Sequence, residues 1–99
     1  METTLLRCSI SPGQFTGEFA VQGMLHDGSG FSLFAQDSDL EMPTAASPGT
    51  PVAGWLRVDV MQEQGDLVLV RLPQHSLENG RTITVRRDQL RRAKARQPA

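Results

Sequence analysis

Leu56-Arg57-Val58-Asp59-Val60-Met61-Gln62-Glu63-Gln64-Gly65-Asp66-Leu67-Val68-Leu69-Val70-Arg71-Leu72-Pro73 reads as two strands joined by a tight turn. Leu56, Val58 and Val60 alternate with Arg57, Asp59 and Met61, the period of two that puts one set on a core face and the other in water. Gln62 to Asp66 supplies the turn. In the returning strand Val68, Val70 and Leu72 line the core, while Leu67, Leu69 and Arg71 take the other side. That strand is apolar on both faces, so something is expected to cover Leu67 and Leu69: the long loop, the C-terminal segment or a second chain. Pro73 is expected to end it.

The same pattern extends in both directions. Upstream, Leu6, Cys8 and Ile10 share one face of a first strand that Ser11-Pro12-Gly13 closes. Phe19, Val21, Gly23 and Leu25 share a face of the next, with Gly23 marking a bulge or bend. Asp27-Gly28-Ser29-Gly30 then turns the chain into Phe31-Ser32-Leu33-Phe34-Ala35 as a hairpin. Downstream, Glu78-Asn79-Gly80-Arg81 turns into Thr82 to Arg86, whose Ile83 and Val85 point inward. Asp88 is placed to cap a last helical turn containing Leu90. Residues 42 to 51 hold three prolines and no charge and read as a flexible loop. No internal repeat is visible.

These elements predict an all-β fold, a small SH3-like barrel of five or six short antiparallel strands with a terminal helical turn. Gly65 to Pro73, followed by Thr82 to Leu90, resembles the closing strands and terminal turn of SH3-like barrels. With Asp27 to Ala35 added, the chain is also similar to small bacterial proteins of unassigned function. The resemblance implies a fold and carries no activity across. The chain has no tyrosine, and lacks the acidic loop and aromatic groove of peptide-binding SH3 domains, so polyproline recognition is not implied. Residues 1–90 form a single expected domain, and residues 91–99 read as a mobile basic tail with little to bury.

Charge is sorted along the chain. Arg81, Arg86, Arg87, Arg91, Arg92, Lys94 and Arg96 hold seven of its ten basic residues, beside the single acid Asp88. The preceding eighty residues carry the other ten acids against Arg7, Arg57 and Arg71, so a body of about −7 adjoins an end of about +6. Cys8 is the only cysteine, which excludes an internal disulfide, and no long apolar run indicates a membrane span. The expected location is the cytoplasm.

No catalytic, cofactor-binding or metal-ligating set emerges. His26, His75 and Cys8 do not make a zinc site, and Cys8 reads as core. Asp37, Asp39 and Glu41 alternate as a solvated acidic edge without the glycine and distant glutamate of a calcium loop. Gly28 and Gly30 turn strand into strand, whereas a phosphate cradle opens a helix.

The remaining expectation is a noncatalytic interaction or assembly module that binds another protein or itself. Trp55, Leu67, Leu69 and Phe34 are the candidate protein contacts. Trp55 is opposite in parity to Leu56 and either anchors a partner or caps the open end of the barrel, the cap being preferred. The alternative is nucleic-acid association through Arg86, Arg87, Arg91, Arg92, Lys94 and Arg96. Against it stand the acidic body and the absence of aromatics beyond Trp55 for bases to stack on.

Overall fold

The computed structural model describes residues 2–13, 15–42 and 50–94. It is all-β, a curled antiparallel sheet that forms a half-barrel. Eight strands follow one another: β1 (Glu2–Pro12), β2 (Glu18–Met24), β3 (Gly30–Gln36), β4 (Leu40–Glu41), β5 (Val52–Gln64), β6 (Leu67–Ser76), β7 (Gly80–Arg86) and β8 (Leu90–Lys94). The spatial order is β3-β2-β1-β5-β6-β7, with β4 added to β5 and β8 added to β1. Inward side chains of the alternating strands meet in one core that includes Leu6, Ile10, Val21, Phe31, Leu33, Leu56, Val70, Leu72 and Val85.

The turns are those the glycines demand. Gly28, Gly65 and Gly80 all have positive φ, where a Cβ is strained. Asp27 locks the first of these turns by accepting hydrogen bonds from the Ser29 amide and hydroxyl at 2.9 and 2.6 Å. Gly23 has a different reason. A Cβ built there falls 2.4 Å from the Phe31 ring, so the missing side chain makes room for the aromatic core residue on the neighbouring strand.

Five expectations are corrected. Strands are more numerous and longer than predicted, because β1 and β5 each bend and serve two neighbours on one edge. β1 pairs with β8 over Glu2 to Leu6 and with β2 from Ser9 onward. Pro73 does not end β6, which continues to Ser76 through an irregular stretch of its pairing with β7. Asp88 does not cap a helical turn. It is the middle residue of a three-residue 3-10 turn, Arg87–Gln89, after which Leu90 opens β8. Residues 91 to 94, expected in the mobile tail, therefore continue a strand that Leu90 opens, since the open edge of β1 satisfies their backbone. Most of the 42–51 loop, residues 43–49, and the end of the tail, residues 95–99, lie outside the described residues.

The fifth correction concerns repetition. The pairing is two-fold symmetric between positions fifty apart, as Leu6 is from Leu56 and Leu40 from Leu90. Leu6 faces Leu56 across β1 and β5; on either side Arg7 faces Trp55 and Leu5 faces Arg57. Leu40 pairs with Leu56 as Leu90 pairs with Leu6, and Glu41 pairs with Trp55 as Arg91 pairs with Leu5. The 3-10 turns match as well. Asp39 accepts the Gln36 amide at 3.1 Å, and Gln89 accepts the Arg86 amide at 2.7 Å. Each half is thus a three-stranded meander, a 3-10 turn and a short strand laid on the first strand of the other half.

Candidate functional site

Trp55 stands on the outer face of β5, away from the core, because its parity is opposite to that of Leu56 and Val58. It is not among the partly buried side chains packed against the core cluster. The Arg91 guanidinium lies 4.4 Å from its ring centroid and that of Arg7 5.7 Å, both within cation–π range. Glu41 ties the group together, 3.8 Å from Arg91 and 3.7 Å from Arg57. Arg57 also donates to the Ser38 carbonyl at 3.0 Å. Leu5, which faces both Arg57 and Arg91 in register, is completely buried on this outer side of β1 without joining the core cluster.

The two-fold relation exposes an asymmetry. Arg7 is the counterpart of Arg57, Asp88 of Ser38, and Arg91 of Glu41. Where Arg57 has a carboxylate for a partner, Arg7 has a like charge. Among the described residues Arg7 makes no ion pair, and it borders an open cleft of about 1000 Å³. The cleft opens where β1 changes neighbours: β8 stops at Leu6, β2 starts at Ser9, and no strand pairs with that edge of β1 between them. Gln22, Met24, Phe31, Ser32 and Arg86 also line it. Its acids are engaged. Glu78 accepts from the Ser32 amide at 2.9 Å and hydroxyl at 3.3 Å, and Asp88 pairs with Arg86 at 3.3 Å. Gln89, buried behind, donates to the Met24 carbonyl at 2.8 Å and joins the second 3-10 turn to β2.

The predicted protein contacts lie on three strands: Phe34 on β3, Trp55 on β5, and Leu67 and Leu69 on β6. Leu67 is 41 % exposed and Leu69 half-buried on the outer side of β6, where they face Gln64 and Gln62 of β5. Met61, the extra residue of a bulge in β5, is 51 % exposed on the same arm. Phe34 is 46 % exposed on β3, which packs against β6 across the curled sheet although β2, β1 and β5 intervene in the pairing order. Trp55 is separate from both, in the arginine group.

The basic residues are largely spent on the body. Arg87 pairs with Glu63 and donates to the Gly65 carbonyl at 2.8 Å, and Arg92 reaches Glu63 at 3.4 Å. Arg87 and then Arg92 hold the Glu63 carboxyl below the usual glutamate range. With Arg86 on Asp88 and Arg91 on Glu41, four of the six predicted nucleic-acid contacts have an acidic partner. Lys94 is placed only as the last residue of β8, and Arg96 lies outside the described residues.

Among the described residues no group of three or more His, Cys, Asp or Glu side chains comes together to hold a metal. Burial pushes the Cys8 thiol up to about 12. Among the described residues no helix is long and apolar enough to cross a membrane. Sequence reasoning missed Arg7, Glu41 and the cleft. The signal that bears on them is the repeated Leu6-Arg7 and Leu56-Arg57, which marks equivalent arginines with unequal surroundings. Comparison with known proteins finds no family model that matches the chain, no matching curated protein and no matching solved structure.

Proposed function

We propose that this chain is a noncatalytic interaction or assembly module on an SH3-like β-barrel, binding another protein or a second copy of itself. One observation carries the reading: on the β5–β6 arm Leu67 and Met61 are about half in water, and Leu69 shares the outer face of β6 with Leu67. Apolar groups that alternate on a paired arm are a natural centre for an interface, and the charged residues around the second 3-10 turn supply a polar rim. The SH3-like kinship is supported by the curled sheet and by the short 3-10 turn between β7 and β8.

Nucleic-acid association is the weaker reading, because Arg86, Arg87, Arg91 and Arg92 each already pair with an acid of the chain, Asp88, Glu63 or Glu41. The test is solution mass by light scattering at low and moderate salt, for the chain and for Leu67→Asp. Association that Leu67→Asp abolishes, with the circular dichroism spectrum kept, fits an assembly module. A monomer at every concentration that also captures no protein partner counts against it.

A further inference from the structure

We propose that the cleft beside Arg7 receives an extended segment of a protein partner and that Arg7 takes a single carboxylate from it. This inference names the ligand chemistry of the interaction module described above and rests on that reading. Three observations converge on it.

The first is charge. Four charged side chains border the cleft, and three are already committed: Arg86 to Asp88, and Glu78 to the Ser32 amide and hydroxyl. The two arginines and two acids of the lining balance in number, but Arg7 alone of the four is left without a hydrogen-bonded or ion-paired partner among the described residues. Glu78 and Asp88 at its border disfavour a polyanion, which would have to lie against both. A lone carboxylate suits the planar guanidinium fork, which can hold it through two hydrogen bonds.

The second is the comparison between halves. Arg57, the equivalent of Arg7, is tied to the Ser38 carbonyl and to Glu41. The positions corresponding to those partners are Asp88 and Arg91. Asp88 is turned to Arg86, and Arg91 repels a second guanidinium while it stacks on Trp55. One half therefore satisfies its arginine with a carboxylate and a carbonyl, and the other leaves the same arginine at the border of an open cleft with only the Trp55 ring beside it.

The third is the backbone. Between Leu6 and Ser9 no strand pairs with one edge of β1, and the Gln22, Ser9 and Ser32 side chains supply hydrogen-bonding groups around that gap. Met24, about half exposed, gives an apolar wall. A chain with amides, an apolar side chain and one acid fits this lining better than a compact free acid, which would use the arginine and leave the rest wet.

The experiment is an amide-resolved NMR titration of the whole chain with three probes: the peptide acetyl-Thr-Val-Glu-Val-Thr-amide, its counterpart with Gln in place of Glu, and benzoate. The expected result is a set of shifts centred on Arg7, Cys8, Gln22, Met24 and Ser32, with the Glu peptide about tenfold tighter than the Gln peptide. Arg7→Gln is expected to erase that preference, and Arg57→Gln to keep it, with both spectra otherwise native. The proposal is overturned by no shift from either peptide at about 5 mM, by shifts elsewhere, by a preference that survives Arg7→Gln, or by benzoate binding as tightly as the Glu peptide. The last result would assign the cleft to free acids. Negative titrations beside a dimer that Leu67→Asp dissociates would remove the cleft proposal and leave the module reading in place.

Discussion

Leu6 and Leu56 face each other at the centre of the β1–β5 ladder, and each is the residue on which a short strand from elsewhere in the chain is laid: Leu90 beside Leu6, Leu40 beside Leu56. Both are completely buried. Truncating either removes apolar contacts at the point where the halves meet, and Leu→Ala in such a site costs about 2–5 kcal/mol. Because their surroundings are equivalent, Leu6→Ala and Leu56→Ala are expected to lower the urea midpoint by similar amounts. A large difference between them would show that the halves do not share the burden of stability.

Gly23 and Phe31 provide a packing test. Gly23→Ala places a methyl group inside the van der Waals envelope of the Phe31 ring and is expected to destabilise by about 1–3 kcal/mol. Phe31→Leu is destabilising on its own, but in the double variant the smaller side chain makes room for the methyl. The two changes combined should therefore cost less than their sum in a double-mutant cycle. Simple additivity would place the cost of Gly23→Ala in the backbone.

Glu63 predicts a pH dependence. Its carboxyl is depressed by the Arg87 hydrogen bond and by Arg92, so it stabilises the fold above its unfolded pKa, and that contribution disappears as pH falls through the folded value. Glu63→Gln is therefore expected to be less stable than the parent at neutral pH, with the gap closing as pH falls through the depressed folded value. Because the group is exposed, molar salt should shrink the gap as well. Urea unfolding across pH and salt measures both.

Cys8 is a reporter of opening. With its thiol buried and its pKa pushed up to about 12, hardly any thiolate is present at pH 8. Modification by a disulfide reagent is expected to be slow in the folded chain and to accelerate with urea in step with unfolding. Fast labelling without denaturant would mean that β1 leaves the sheet locally.

The sequence makes the inward faces of β5, β6 and β7 legible, since Leu56, Val58, Val68, Val70, Leu72, Ile83 and Val85 are all buried as their alternation predicts. The turns at Gly28, Gly65 and Gly80 are equally plain, because positive φ selects residue type directly. What escapes is whatever depends on backbone pairing. Arg91 and Arg92 show no apolar alternation, yet they form a strand because β1 offers an open edge. The two-fold relation is hidden for a related reason. Strand pairing fixes geometry and leaves outer side chains free, so only scattered identities such as Leu6 with Leu56, Arg7 with Arg57 and Leu40 with Leu90 remain. The site is less legible still. Trp55 attracts notice as the lone tryptophan, whereas Arg7 becomes informative only once its equivalent, Arg57, is seen to be occupied.

The exchange of short strands bears on how the chain reaches its folded state during synthesis. The first half leaves the ribosome with β1, β2 and β3 made, but its β4 has no ladder until β5 follows, and the β8 edge of β1 stays bare until residue 94 has been added. Neither meander is therefore a finished folding unit, and a nascent chain halted midway would expose an unpaired strand to its neighbours. The architecture makes the arrival of residues 90–94, and not completion of the first half, the event that covers the β1 edge.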